Sequence, residues 1–274
     1  MDWSSQSDPL GRKIELHGPE GFEGMRRAGD LAAQTLDFIA PHVQAGASTL
    51  ELDGLCDRFM RDHGAIAATI GYKGYRHASC ISVNHVATHG IPSAKKILKP
   101  GDILNIDVTP LLDGWHGDSS RMFAVGEPSR REHRLIQATH EAMWNAIAKV
   151  KPGATLGDLG HAMDSTARAY GFSTVKVFCG HGVGRVFHDA PDVPFSGSPG
   201  EGVVLEPGMI FTIEPMINAG RADVTVLPDG WTTVTRDRSP SAQYEHSVGV
   251  TEDGVEVFTL GSDQAPLSIS CAMA

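Results

Sequence analysis

The sequence predicts a mixed α/β (α+β) chain built from two related halves, about 15–130 and 131–262, in which helices precede a short apolar strand. Three observations predict it. The stretch Leu98-Lys99-Pro100-Gly101-Asp102-Ile103-Leu104-Asn105-Ile106-Asp107 recurs 107 residues later as Leu205-Glu206-Pro207-Gly208-Met209-Ile210-Phe211-Thr212-Ile213-Glu214. The same offset carries Val43-Gln44-Ala45-Gly46-Ala47 onto Val150-Lys151-Pro152-Gly153-Ala154, Leu52 onto Leu159 and Gly64 onto Gly171. Several matches at one offset mark an internal repeat. Ahead of each echoed strand, apolar residues recur at helical spacing.

Residues 1–14 read as a flexible lead-in, polar and without the apolar core of a signal peptide. A helix opens at Pro19-Glu20, carries Met25, Ala28, Leu31, Ala32, Leu36 and Ile39 on one face, and is disturbed at Pro41. Ser48-Thr49 caps a second helix that ends near Gly64. Gly71 to Tyr75 is a glycine-rich loop, Cys80 to Val83 a short strand, and His89-Gly90-Ile91-Pro92 a second loop. Ile103 to Val108 is a buried strand, followed by Pro110 and an Asp113-Gly114 turn. The second half repeats the plan, with helices over 131–150 and 158–170 and a strand over 174–178. Cys179-Gly180-His181-Gly182-Val183-Gly184-Arg185 and Pro191 to Gly202 read as loops, 209–214 as the echo strand, and 243–250 with 255–260 as a hairpin across Glu252-Asp253-Gly254. Residues 263–274 form a flexible tail.

At 274 residues the chain can bury a sizeable core. A net charge of −10 argues against a nucleic-acid coat protein. No stretch is long and apolar enough to span a membrane. Cys56, Cys80, Cys179 and Cys271 form no C-x-x-C pair, so the expectation is a reduced, cytoplasmic protein without a zinc ribbon.

The chemistry gathers around the echoed strands. Asp107 lies in an apolar run and Asp118 follows on the return path, while Glu214 ends the second run. A buried carboxylate loses its hydration, and two facing each other repel unless a cation lies between them. Pairing with an Arg or capping a turn is the commoner fate of such acids, so the company they keep decides. That company is His181 between glycines, His188 before Asp189, Glu245 in Gln243-Tyr244-Glu245-His246, and His89 before Gly90. His17, His42, His63, His133, His140 and His161 have no such company and read as ordinary core or surface histidines.

From residue 15 to 260 the chain resembles bacterial type I methionine aminopeptidase. The resemblance is carried by Gly71-Tyr72-Lys73-Gly74-Tyr75, His89-Gly90-Ile91-Pro92, the 101–109 and 117–120 segments, Gly180 to Arg185, Phe211 to Met216 and Ser241 to His246. It implies the pita-bread fold over a single catalytic domain, 15–262, with two pseudo-symmetric halves and a central antiparallel sheet flanked by helices. It further implies two divalent metal ions (Co, Mn, Fe(II) or Zn): Asp107 chelates one, His181 and Glu214 serve the other, and Asp118 and Glu245 bridge both. Such an oxygen-rich set suits Mn, Fe(II) or Co. The implied reaction removes the N-terminal methionine of nascent proteins and peptides whose second residue is small, through water activated at the metals. Glu214 would relay the proton, His89 contact the scissile amide, and His188 the substrate carbonyl. Tyr72, Tyr75, Cys80, Phe187 and Trp231 would line the methionine pocket. The implied partners are nascent N-termini, with the ribosome near the exit tunnel, and the implied state is a monomer without membrane or specific nucleic acid.

Thr69, Thr88, Arg76-His77 and Asn84-His85 depart from the residues usual in that family. Two alternatives stay in view: a proline-specific aminopeptidase or prolidase of the same fold, and a non-catalytic binding protein of that fold. The prolidase branch usually adds a large N-terminal domain, and here about fifteen residues precede the shared region. The type II branch would insert a segment between Glu214 and Glu245, which are close in sequence.

Overall fold

The structure, a computed structural model, describes residues 6–261. Four helices carry the two halves: α1 Pro19–Ile39, α2 Thr49–Asp62, α3 Arg130–Ile147 and α4 Leu156–Ala169. The last three open with reciprocal capping boxes, Ser48 with Glu51, Ser129 with Glu132 and Thr155 with Asp158. These caps explain why α3 and α4 start earlier than apolar spacing alone predicts. The repeat extends to the caps: the offset of 107 carries α2 onto α4, Ser48 onto Thr155 and Glu51 onto Asp158. It also carries the Ser48–Ile97 bridge onto the Thr155–Val204 bridge.

Each echoed strand is the middle of its sheet. Ile103–Val108 lies antiparallel between Ser79–Val83 and Ser119–Ala124, with Asp107 opposite both Cys80 and Ser120. Ile210–Ile213 lies between Cys179–Gly182 and His246–Val250. The helices cover the outer faces. Leu36, Ile39, Leu52 and Met60 pack with Leu104 and Ile106 in the first half. Leu135, Met143, Leu159 and Met163 pack with Phe211 and Val248 in the second. A polar seam joins the sheets. Ser120 bridges Glu245, Ser119 Oγ donates to the Glu245 carbonyl (2.8 Å), Ser247 Oγ donates to the Asp118 carbonyl (2.8 Å), and Asn105 Nδ2 donates to the Gln243 carbonyl (2.8 Å).

Several expectations are corrected. Residues 6–14 of the lead-in are held against the body: Asp8 accepts from the Leu10 and Arg12 amides and from the Arg12 guanidinium, Arg12 reaches Asp192, and Ile14 is buried in the second core. Residues 1–5 and the tail from 263 lie outside the described residues. The strand expected over 174–178 is only Ser173–Thr174, because the chain leaves its partner strand after the Val175 amide bonds the Met216 carbonyl, and Val177 is exposed. The strand expected over 243–250 is broken into Ser241–Gln243 and His246–Val250, which belong to different sheets. The last strand is Val255–Val257, shorter than 255–260. Cys179–Gly182 and Asp189–Pro194, expected as loops, are paired strands. Their glycines mark close backbone approach, since a Cβ on Gly182 would lie 2.0 Å from the Ala190 carbonyl oxygen.

Candidate active site

The two echoed strands deliver Asp107 and Glu214 to the seam, one from each half. Asp118 stands just ahead of strand Ser119–Ala124, where the Thr109 hydroxyl donates to its Oδ1 (2.8 Å). Glu245 occupies the break between the two strands 241–243 and 246–250, and its amide bonds the Ser120 carbonyl (3.1 Å). His181 comes from strand Cys179–Gly182, its amide donating to Thr212 Oγ1 (3.0 Å). The same Thr212 hydroxyl donates to Glu214 Oε1 (2.8 Å), and Gln243 Nε2 donates to Oε2 (3.0 Å). Both oxygens of Glu214 are thereby held.

Asp118, His181 and Glu245 each offer one ligand atom, all within 4.8 Å of one another. Glu214 Oε1 lies 3.7 Å and Asp118 Oδ2 3.5 Å from His181 Nε2. His181 Nδ1 lies 3.0 Å from the Gly182 carbonyl, an acceptor, so the proton sits on Nδ1 and the Nε2 lone pair faces carboxylates.

Burial pushes all four carboxylates up, Asp118 to about 7, and mutual repulsion adds to the rise for Asp107, Glu214 and Glu245. Burial pushes His181 down to about 4, so near neutral pH it is an uncharged ligand. Among the described residues no Lys or Arg lies within 4.0 Å of these acids. Four buried acids facing one neutral imidazole lone pair make a donor set that a cation would balance. The residues therefore fit a divalent metal bound mainly through oxygen. The Cys80 thiol opposite Asp107 is pushed well up by burial and the Asp107 charge, so it stays protonated and is not a thiolate ligand.

Above the acids lies a cavity of about 250 Å³. Every site residue expected from the sequence lines it: Tyr72, Tyr75, Cys80, His89, Asp107, Asp118, His181, Phe187, His188, Glu214, Trp231 and Glu245. His188 packs on His181 (ring centroids 4.1 Å apart) and stacks under Tyr72 (5.0 Å). His89 meets Trp231 edge-on (5.9 Å), and Trp231 meets Tyr75 (4.9 Å), whose hydroxyl is tied to the Ser79 carbonyl (2.9 Å). Burial pushes His89 down to about 4 and His188 to about 2, the latter with help from neighbouring His181, so both imidazoles are neutral.

Thr69 and Thr88, noted only as departures, also line the cavity, whereas His77 turns to Asp53 (3.3 Å) and Asn84 to Asp102 (2.8 Å). Sequence reasoning missed Lys73, Phe178, Cys179, Met216 and Gln243 on the wall, and Thr109 and Thr212 behind it. A signal existed for three of them. Cys179, Thr212 and Gln243 each sit two residues before an assigned ligand, the spacing that returns a strand to the same face. His116 was also missed; it stacks under Phe187 (5.4 Å, 9°) and fixes that wall.

Comparison with known proteins agrees with this geometry. The chain is 50% identical over 252 residues to "Methionine aminopeptidase A" of Synechocystis, covering 92% of this chain and all of that one. The crystal structure of methionine aminopeptidase from Rickettsia prowazekii superposes with a TM-score of 0.89 at 52% identity, covering 90% of this chain and all of that one. A prolidase from Pyrococcus furiosus shares the fold alone, with a TM-score of 0.72 at 23% identity, and this chain spans 66% of it. Among the described residues no helix is long and apolar enough to cross a membrane. Residues 23–252, which span most of both halves and contain every one of the candidate ligands, match Metallopeptidase family M24, and the chain belongs to that family.

Proposed function

We propose that this metallopeptidase removes the N-terminal methionine from nascent proteins and peptides whose second residue is small. The carrying observation is the joining, in one cavity, of the acid–histidine cluster with the aromatic wall of Tyr72, Tyr75, Phe187 and Trp231. The methionine aminopeptidases at about 50% identity support the same reading. Two divalent ions, Mn, Fe(II), Co or Zn, would be held by Asp107, Asp118, His181, Glu214 and Glu245. When bound, such ions supply the charge that acidifies water and polarises the peptide carbonyl.

The protein's own groups do the rest. The floor of the cavity receives the free α-amine of the substrate, which only a chain end supplies, so cleavage is limited to the first peptide bond. The aromatic wall and Cys80 take up the flexible thioether side chain. His188, neutral, donates a hydrogen bond to the substrate carbonyl oxygen, and His89 contacts the scissile amide. Glu214, held by Thr212 and Gln243, accepts the proton of the attacking water and passes it to the leaving amine. The proposal includes a cytoplasmic monomer that meets its substrates as they leave the ribosome.

The test is hydrolysis of Met-Ala-Ser, Leu-Ala-Ser and N-acetyl-Met-Ala-Ser with Mn, Fe(II), Co or Zn added. Fast release of Met from the first, and little from the other two, is expected. No release with any of the four metals sinks the reading. Faster cleavage ahead of proline than ahead of alanine, whatever the first residue, moves the chain to the prolidase branch.

A further inference from the structure

Among the described residues that line the cavity, Lys73 is the only Lys or Arg. It stands exposed at the rim, and no carboxylate of the described residues lies within 4.0 Å of its ammonium. Its backbone is left-handed (φ 44°, ψ 31°), a conformation unfavourable for an L side chain. The side chain lies over Tyr72, with Nζ 5.2 Å from the ring centroid. Tyr72 in turn stacks on His188 at 5.0 Å and 18°. Rim cation, aromatic ring and imidazole thus stand in successive contact.

With two divalent ions held by its four carboxylates the floor is close to neutral, and the ammonium of Lys73 is the unbalanced charge of the cavity. A peptide entering amino end first sets its α-amino group at the floor and its later residues at the mouth. The two spacings keep Lys73 Nζ within about 10 Å of His188, the reach of about three extended residues. We propose that Lys73 reads the charge of the substrate beyond its small second residue, favouring an Asp or Glu at the third or fourth position. This deepens the aminopeptidase reading and rests on it. Without Lys73 the net charge of −10 would disfavour such substrates.

The probes are C-terminally amidated Met-Ala-Asp-Gly, Met-Ala-Asn-Gly, Met-Ala-Lys-Gly, Met-Ala-Gly-Asp and Met-Ala-Gly-Asn, cleaved by the Mn-loaded enzyme at low and high ionic strength. An exposed ion pair is worth about a two- to fivefold gain in kcat/KM for Asp over Asn. The gain should shrink with salt, persist in Lys73→Arg and vanish in Lys73→Met, with the Lys peptide below the Asn peptide in the wild type. Each ratio is taken within one enzyme, so a poorly folded variant does not mimic the result. No preference for Asp at either position in the wild type, or an unchanged ratio in Lys73→Met, overturns the proposal. Failure of the wild type to release Met from the Asn peptide overturns the aminopeptidase reading, and the proposal with it.

Discussion

Replacing Thr212 with Val removes one hydroxyl at constant shape and disturbs two groups of the site. The His181 amide loses its acceptor at 3.0 Å, and Glu214 Oε1 loses its donor at 2.8 Å. Thr212 is fully buried, so water does not replace either partner without opening the sheet. A buried N–H left unpaired costs roughly 1–3 kcal/mol, and the lost hydrogen bond to Glu214 adds about 0.5–1.5 kcal/mol. A loss of about 3 kcal/mol lowers Tm by about 6–12 °C for a chain of this size. The effect on the ligands is separate. Support of this kind behind a metal ligand is worth about 10- to 100-fold in metal affinity, and the hydroxyl is also one of the groups that oppose the rise of Glu214. Thr212→Val should therefore need about 10- to 100-fold more Mn for half-maximal peptide cleavage, while Thr212→Ser, which keeps the hydroxyl, stays near the wild type. The assay is a metal-buffered activity titration beside a thermal melt of the metal-free protein. A wild-type titration curve in Thr212→Val would refute the reasoning, whatever the melt shows.

Three further outcomes are expected. Since burial lifts Asp118 to about 7 and the other three acids above their ordinary range, the free site holds protons near neutrality that a metal must expel. Mn affinity measured by calorimetry should fall about tenfold or more per pH unit below about 7, with no counter-effect from His181, which stays neutral down to about 4; a flat profile between these limits contradicts the buried-acid account. His89→Ala should keep its metal content by elemental analysis and lose about 10²- to 10³-fold in kcat, whereas metal loss in step with activity would make His89 a ligand. In a Met-X-Ser series compared by kcat/KM, Gly, Ala and Ser at X should exceed Leu, Lys and Glu by about a hundredfold, the cost of displacing the carbonyl by about an ångström, and equal rates for Ala and Leu would remove the second-position constraint.

Much of this was legible in the chain because repetition is visible in one dimension. The offset that relates Asp107 to Glu214 also relates Ser48 to Thr155, so the capping boxes of α2 and α4 were there to be read alongside the strands. What stayed hidden depends on contacts between residues far apart in sequence. Asp8 offers no pattern until Arg12 folds beside it and reaches Asp192. The break at Glu245 is hidden because Tyr244 and Glu245 continue an apolar alternation, while their partners, Ser120 and the seam, lie in the other half. Lys73 looks like any loop lysine until Tyr72 and His188 are found beneath it. Thr109 and Thr212 look like ordinary strand threonines until their hydroxyls meet Asp118 and Glu214.

The polar seam sets the order in which the enzyme is lost under stress. Asp107 and Asp118 belong to one core, and His181, Glu214 and Glu245 to the other. A third apolar cluster, Met25, Ala28 and Trp115 with Val183, Ile210 and Phe258, joins the halves along α1, whereas the join beside Asp118 and Glu245 is made of hydroxyl and amide contacts that water or urea can replace once it opens. A slight parting of the sheets at this polar join would therefore disperse the five candidate ligands while most helical structure survives. In rising urea, inactivation should run ahead of the loss of helical circular dichroism. A tightly held ion delays that parting in proportion to the logarithm of its concentration over its dissociation constant. A bound ion would then serve as a clasp as well as a reagent.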